Sequence, residues 1–219
     1  MNLSKRIDAI TDLCPALPVW SDIGTDHGFT AAWLLKKNRA GRVIAADISE
    51  DSLAKARLLC REMQLEDTML LRTGDGLEPI SDGSANGAVI SGMGAPLIIS
   101  ILEAQKQTAL SLDYIVLSPN NYPERMRKYL SENGFRILSE RIIEERTKFY
   151  PVMLVCSGKE EEYTEGELYG GRHTVKDADY ALYLQHKLEM WHKIERDTGG
   201  KNAHASHLLK IYFSLTQRP

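Results

Sequence analysis

The chain lacks the features that usually mark secreted, membrane or metal-binding proteins. Its 219 residues include only three cysteines, Cys14, Cys60 and Cys156, and these form no Cys-x-x-Cys pair. The sequence therefore indicates neither a disulfide framework nor a thiolate metal site, and five of the six histidines lie late in the chain without carboxylates at metal-ligand spacing. No apolar run is long enough to cross a bilayer, and the start has no signal-peptide core. We expect a cytoplasmic protein with no metal and no membrane partner.

An overall excess of basic residues is also missing. The formal net charge is −3 at pH 7, which argues against extensive phosphate binding but leaves room for a local basic patch. Basic and acidic residues alternate in one later segment, whose basic members are Arg125, Arg127, Lys128, Arg136, Arg141, Arg146 and Lys148 and whose acidic members are Glu124, Glu132, Glu140, Glu144 and Glu145. Composition favours a solvated face of mixed charge for this segment.

Short apolar runs alternate with helical patterns through the first two thirds of the chain. After an amphipathic opening helix that carries Leu3, Ile7 and Ile10 on one face, we predict strands at Val19–Ile23, Arg42–Asp47, Met69–Arg72, Gly87–Ser91 and Tyr114–Ser118. The intervening helices are predicted at Phe29–Lys37, Glu50–Gln64, Pro96–Gln107 and Pro123–Asn133. This alternation predicts an α/β fold with a parallel sheet covered by helices. Two consecutive strands, Phe135–Glu144 and Tyr150–Ser157, then require antiparallel pairing.

The last third of the chain has a different pattern. Gly158-Lys159-Glu160-Glu161-Glu162 predicts a polar linker, and helical periodicity follows at 175–196 and 204–215, separated by Gly199-Gly200. A helical hairpin of this size is too small for a core of its own, so we expect it to pack on the first domain or on a partner. We therefore divide the chain into a domain at 1–158 and a C-terminal helical hairpin domain at 159–219.

The most informative motif is Ser21-Asp22-Ile23-Gly24-Thr25-Asp26-His27-Gly28, which joins the first predicted strand to a helix. A glycine turn at this point presents backbone N–H groups to a nucleotide-like ligand. Asp22 and Asp26 would repel the diphosphate of a dinucleotide, whereas the sulfonium and ammonium groups of S-adenosylmethionine (SAM) are cationic. The turn therefore favours SAM over NAD, and an acidic turn without any ligand is the alternative.

Polar or glycine-rich turns follow the next three predicted strands. Asp47 could accept hydrogen bonds from the ribose hydroxyls, or it could cap the next helix. Gly74-Asp75-Gly76 suits adenine recognition, with Asp75 accepting from the exocyclic amine, and is equally consistent with a plain turn. Ser91-Gly92-Met93-Gly94 would let the methionine part of SAM meet the acceptor, unless it is only a tight strand-to-helix turn.

The fifth predicted strand ends in Ser118-Pro119-Asn120-Asn121-Tyr122. Methyl transfer to nitrogen requires an aligned and desolvated acceptor, which Asn120 could hold by a hydrogen bond while the Tyr122 ring stacks on a base. A Pro-Asn turn of no catalytic importance is the competing interpretation. His27 could act as a general base, although a histidine in the first turn of a helix is more often structural.

Taken together, these motifs and the opening Leu3-Ser4-Lys5-Arg6 resemble the bacterial tRNA (adenine(22)-N(1))-methyltransferase family. One departure is Ser118, since the family usually has Gln before the Pro-Asn pair. The resemblance implies a Rossmann-like class I methyltransferase fold, which has a mostly parallel seven-stranded sheet with a terminal antiparallel hairpin, plus a small C-terminal α-helical domain that helps hold tRNA. It also implies SAM as the methyl donor and S-adenosylhomocysteine (SAH) as the product.

The candidate site residues follow from the motifs and the resemblance together. The cofactor candidates are Asp22, Gly24, Thr25, Asp26, His27, Gly28, Asp47, Ile48, Gly74, Asp75, Gly76, Gly92, Met93 and Gly94, and the catalytic candidates are Asp26, Asn120 and Tyr122.

The expected reaction is direct attack of adenine N1 on the SAM methyl group. N1 lies on the Watson–Crick edge, so the base must be unpaired, and Asp26 could orient it and favour its developing positive charge. Two alternatives stay open, a SAM-dependent methyltransferase for a small molecule or protein and a non-catalytic nucleotide-binding Rossmann protein. We expect a monomer or a weak homodimer.

Overall fold

The computed structural model describes residues 3–217 and contains one seven-stranded sheet. The strands are β1 (Leu17–Ile23), β2 (Ala40–Asp47), β3 (Met69–Thr73), β4 (Gly87–Ser91), β5 (Tyr114–Ser118), β6 (Phe135–Glu145) and β7 (Lys148–Ser157). The α-helices are α1 (Lys5–Leu13), α2 (Phe29–Lys36), α3 (Glu50–Glu62), α4 (Ala95–Ala104), α5 (Lys106–Ser111), α6 (Pro123–Glu132), α7 (Glu165–Gly170), α8 (Ala178–Asp197) and α9 (Ala203–Thr216), with a 3₁₀ turn at Glu78–Ile80.

The sheet has the strand order β3-β2-β1-β4-β5-β7-β6. Strands β1 to β5 are parallel, and β7 pairs antiparallel with both β5 and β6. This is a Rossmann-like methyltransferase sheet, which confirms the predicted fold. The strand order reverses between β1 and β4, and ligands of open α/β sheets bind at such a switch point, beyond the carboxyl ends of the strands.

Two apolar clusters lie on opposite faces of the sheet. One contains side chains of α1, α2 and α3, such as Ile10, Leu34 and Leu59, and the other contains side chains of α4, α5 and α6. Between these clusters, four consecutive residues are buried in each of the central strands β4 and β5, as expected for a sheet covered on both faces. The predicted single helix at Pro96–Gln107 is divided in the structure, because α4 ends at Ala104 and α5 begins at Lys106, with Gln105 between them.

The C-terminal helices pack on the sheet domain, one of the two positions expected for them. Ile142 of β6 lies in a third apolar cluster with Tyr183 of α8 and Tyr212 of α9. Helix α8 begins at Ala178, three residues after the predicted start, because Asp177 caps it by accepting from the Tyr180 N–H at 3.0 Å. The short helix α7 lies outside the sequence prediction, and Thr164 and Glu167 form its capping box.

The predicted solvated face of mixed charge is wrong for Arg127 and Glu140. Both side chains are fully buried, and the Arg127 guanidinium donates to both Glu140 carboxylate oxygens, at 3.1 and 2.6 Å, and to the Leu168 carbonyl of α7. Burial alone would lower the pKa of Arg127, but the charge and hydrogen bonds of Glu140 outweigh it and raise that pKa. The pair therefore connects α6, β6 and α7 inside the protein.

Within residues 3–217, no helix combines the length and the apolarity that a bilayer-spanning segment needs.

Candidate active site

The candidate site lies beyond the carboxyl ends of the neighbouring strands β1 and β4. Gly24 has a φ of 71°, and a Cβ atom added there would lie 2.2 Å from Cε of Met93. The positive φ favours glycine here, and the flexible end of the Met93 side chain lies against the main chain of the β1 turn. The structure thus brings together the two glycine turns that the sequence analysis singled out at Gly24 and Gly92.

Asp47 connects the β1 turn to the end of β2. Its Oδ2 accepts from the Asp26 N–H at 3.1 Å, and its Oδ1 accepts from the Ser49 N–H at 2.9 Å, next to the start of α3. The carboxylate therefore orders the loop, and lone pairs on both oxygens remain for a ligand. Ile48, which follows it, is 69% exposed and offers an apolar surface at the same edge.

Asp22 lies beneath the turn and is only 2% exposed. Its Oδ2 accepts from the Thr25 hydroxyl at 2.7 Å and from the Ala31 N–H at 3.2 Å. Burial raises the pKa of Asp22 to about 6, and these two hydrogen bonds oppose the increase. The geometry makes Asp22 a support of the turn, with Thr25 as its partner.

Asp26 has the opposite environment, because its side chain is exposed at the tip of the turn. Lys55 Nζ lies 3.5 Å from Oδ1, and His27 Nε2 lies 3.6 Å from Oδ2. Such exposed pairs contribute little free energy, so an incoming cationic or hydrogen-bonding group can replace them at small cost. The His27 ring stacks on Phe29 with 5.8 Å between centroids, which orients the imidazole beside Asp26. Gly28 has a φ of 78° and precedes α2 as its N-cap.

The turn at Gly74-Asp75-Gly76 lies on the β2 side of the same edge. The Gly74 N–H donates to the Asp47 carbonyl at 3.2 Å, and the Asp75 N–H donates to Glu78 Oε2 at 3.2 Å. Asp75 is exposed, and Gly76 has a φ of 55°. This turn therefore reaches the end of β2 beside Asp47, as an adenosine site would require.

Asn120 joins the β5 turn to the β4 turn. Its backbone N–H donates to the Met93 carbonyl at 2.8 Å, and its Nδ2 donates to the Gly92 carbonyl at 2.6 Å. Asn121 Oδ1 accepts from the Ala95 N–H at 3.3 Å, and its side chain lies against Gly94. Because the Asn120 NH₂ group is held in this way, the side-chain oxygen is the part suited to accept from a ligand.

Tyr122 adopts a left-handed backbone conformation, with φ 50° and ψ 50°, immediately before α6. Its side chain is 47% exposed, and the guanidinium of Arg125 lies 4.7 Å from the ring centroid. Left-handed tyrosines are uncommon, and a strained residue of this kind often occurs at a functional site. The ring is therefore accessible to a ligand at the turn that follows β5.

Two cavities meet at this edge, and we call them the crevice and the groove. The crevice has a volume of about 260 Å³ and is lined by the predicted residues Asp22, Gly24, Thr25, Asp26, His27 and Gly92. The groove has a volume of about 760 Å³, and Asn120 and Tyr122 lie in its wall. The other cofactor candidates, Gly28, Asp47, Ile48, Gly74, Asp75, Gly76, Met93 and Gly94, lie at the same sheet edge but outside the lining of the crevice.

Arg6 is a site residue that the sequence analysis missed. It lines both cavities, its Nε and Nη2 donate to the Ser118 hydroxyl and carbonyl at 3.2 and 3.0 Å, and its guanidinium lies 4.4 Å from the Tyr150 ring centroid. Its place in the opening motif was the only available signal. In the part of the chain that the structure describes, no group of three or more His, Cys, Asp or Glu side chains could hold a metal ion.

Comparison with known proteins first defines the class of this protein. Residues 3–153 match a methyltransferase domain family, which places the chain among the methyltransferases. The tRNA (adenine(22)-N(1))-methyltransferase of Bacillus subtilis strain 168 is 31% identical over 166 residues, which are 76% of this chain and 70% of that relative. The chain therefore belongs to the tRNA (adenine(22)-N(1))-methyltransferase family, and the resemblance seen in the sequence is confirmed.

Solved structures share the whole fold, including the C-terminal helices. The crystal structure of the B. subtilis m1A22 tRNA methyltransferase TrmK has a TM-score of 0.78 at 25% identity, with 97% of this chain and 95% of that chain covered. TrmK of M. capricolum, solved with SAH, has a TM-score of 0.82 at 20% identity and 97% coverage of both chains.

Proposed function

We propose that this protein is a SAM-dependent methyltransferase that methylates N1 of adenine 22 in tRNA. The observation that carries the proposal is the 31% identity to the B. subtilis enzyme with that activity, over 70% of that enzyme's length. The geometry of the sheet edge is consistent with it, because the turns expected to hold a cofactor and an acceptor are in contact there. A tRNA substrate also implies a cytoplasmic site of action.

The charge of the crevice fits SAM as the cofactor. Three carboxylates, Asp22, Asp26 and Glu145, line it together with one arginine and one histidine. An acidic lining attracts a cationic ligand and repels a diphosphate. When bound, SAM supplies a methyl group on a positively charged sulfur. A cofactor bound across β1, β2 and β4 would meet the Asp47 carboxylate, the exposed Ile48 side chain and the Asp75 turn at one end and Met93 at the other.

Asp26 and Asn120 are proposed to orient the acceptor base. Both can accept a hydrogen bond from the exocyclic amine of adenine, and Tyr122 can stack on the ring. In the reaction the N1 lone pair forms the new N–C bond as the bond from sulfur to the methyl group breaks, and the electron pair stays on sulfur. The product ring is positively charged, so the Asp26 carboxylate stabilises it more than the neutral reactant.

The two regions of the chain have separate proposed roles. We infer that residues 1–158 form the SAM-binding domain and that residues 159–219 form a helical domain that helps hold tRNA. The change from the sheet to helices α7, α8 and α9, which lie after Ser157, supports this boundary.

Primer extension tests the function directly. tRNA from a strain that lacks the enzyme is incubated with the purified protein and SAM, and reverse transcription should then stop next to position 22, because a methyl group on N1 blocks base pairing. A stop at another adenine would change the assigned nucleotide. Transfer of label from SAM to a metabolite or a protein, with no label in tRNA, would support the second enzymatic interpretation. Binding of SAM without any transfer would support a non-catalytic protein.

A further inference from the structure

The groove lies between the sheet domain and the helical hairpin. Its lining includes Tyr122, Tyr150 of β7, and His186 and Lys187 of α8. Its volume of about 760 Å³ is within the range of cavities that hold small organic ligands, about 300 to 1,000 Å³. It opens beside Asn120 and therefore continues directly from the proposed acceptor position.

The charge of the groove is opposite to that of the whole chain. Its lining includes Arg6, Lys148 and Lys187 but only one carboxylate, Glu124, although the chain has a net charge of −3. Among residues 3–217, the ion pairs of the protein include neither of the two lysines. This distribution is complementary to a polyanion.

Lys187 is the clearest member of this set. Burial lowers its pKa, Glu124 opposes that effect, and Nζ lies 5.5 Å from the ring centroid of Tyr183. A partly buried ammonium without a carboxylate in contact is costly, because the lost hydration is not replaced. An anionic group of a bound ligand would replace the lost hydration of the Lys187 ammonium.

Aromatic rings lie next to these cations. The His186 and Phe149 rings pack at 5.2 Å between centroids, and the Arg6 guanidinium covers the Tyr150 ring. A positively charged groove with rings along it is the arrangement by which proteins bind single-stranded nucleic acid, since each base can stack on a ring while its phosphate meets a cation.

We propose that the groove binds the nucleotides that flank the target adenine, in single-stranded form, with phosphates on Lys148 and Lys187 and bases against Tyr150 and the His186–Phe149 pair. The proposal rests on the proposed function and adds to it a specific surface for the RNA. An adenine whose N1 reacts must leave its helix, so its neighbours lose a stacking partner, and the rings supply a replacement.

The test uses the full-length protein and unmodified tRNA. In the Lys148→Ala/Lys187→Ala variant we expect tRNA affinity to fall about tenfold, and the slope of log K against log salt to become shallower by roughly 1.4 to 1.8 for two lost phosphate contacts. The Kd of SAM, which binds in the crevice, should change less than about twofold. A Lys193→Ala/Lys210→Ala variant is the matched control, because both lysines are exposed on α8 and α9 and lie outside the groove lining.

Two further variants separate the contribution of charge from that of ring stacking. Lys148→Arg/Lys187→Arg should restore the salt slope, which a variant that merely folds poorly would not do. His186→Ala should weaken tRNA binding several-fold without changing the slope, because stacking involves no counterion release.

An unchanged affinity and slope in the double alanine variant would overturn the proposal while leaving tRNA methylation by the wild type intact. Equal losses in the Lys193→Ala/Lys210→Ala control would also overturn it, because the effect would then be a general one of surface charge. A wild type that binds SAM but neither binds nor methylates tRNA would overturn this proposal and the proposed function together.

Discussion

The crevice and the groove lie side by side but have opposite linings. The crevice has three carboxylates and one arginine, set around glycine turns with positive φ angles, and the groove has three cations and one carboxylate set among aromatic rings. A small cationic ligand and a polyanion would each be attracted to a different cavity. A modestly acidic protein can therefore act on RNA, because local charge and not net charge decides where each partner binds.

The largest effect is expected at the buried Arg127–Glu140 pair, which connects α6, β6 and α7. Arg127→Met leaves Glu140 buried without a partner and removes the donor to the Leu168 carbonyl, so the free energy of unfolding should fall by about 3–5 kcal/mol in urea titrations. The double variant Arg127→Met/Glu140→Leu should recover much of this loss, because no unpaired charge remains.

Lys128→Ala is the matched control for that experiment. Lys128 is the next residue of the same helix, and its pair with Glu132 is exposed at 3.9 Å, so the free energy of unfolding should stay within about 0.5 kcal/mol of the wild type. A loss below about 1 kcal/mol in Arg127→Met would contradict the importance given to the buried pair.

The next prediction tests whether the exposed Asp26 carboxylate of the crevice contributes to methyl transfer. Asp26→Ala should lower kcat about 100-fold, because the positive charge that develops on the base loses its stabilising partner. The Kd of SAM, measured by calorimetry, should rise no more than a few-fold. Asp67→Ala, which removes an exposed carboxylate far along the chain from the turn, should leave both values unchanged. Wild-type turnover in Asp26→Ala would remove this residue from the mechanism.

Much of the fold could be predicted because its signals are local. Each core strand is a short apolar run with Gly, Asp or Ser at its end, and the glycine turns at Gly24 and Gly92 follow strands directly. The strand order that brings these two turns together follows from the family fold. Which of the candidate residues contact the cofactor stays a prediction.

The features that could not be predicted depend on distant segments. Arg127 and Glu140 read as surface charges, because nothing near them shows that α7, with Leu168 41 residues later, covers them. Arg6 is 112 residues from Ser118, its hydrogen-bond partner, so no local pattern reveals its position between the cavities. The groove likewise forms only when α8, with α9 packed against it, contacts β6.

The buried Asp22 carboxyl of the crevice should make the stability of the protein depend on pH. Its pKa of about 6 in the folded protein lies above its usual value of 3.8, so between these values the folded state binds more protons than the unfolded state. The free energy of unfolding should therefore fall by roughly 3 kcal/mol as pH rises from about 4 to 6.

Asp22→Asn keeps an acceptor oxygen for Thr25 and Ala31 but has no charge to desolvate. Urea titrations at pH 4, 5, 6 and 7 should show the variant gaining stability relative to the wild type across this window. Asp67→Asn, at an exposed position, should run parallel to the wild type. Parallel curves for Asp22→Asn as well would show that the buried carboxyl does not titrate there.

The smallest effect concerns Arg6, the one described residue that lines both cavities. Arg6→Lys keeps the charge but cannot reproduce the two hydrogen bonds to Ser118 or the planar contact with Tyr150. A loss of about 1 kcal/mol corresponds to roughly fivefold, and it should appear in the Kd of SAM and in the Kd of tRNA alike. The lysine variants of the groove are expected to affect tRNA binding alone, so an Arg6→Lys protein weakened for only one ligand would assign Arg6 to a single cavity.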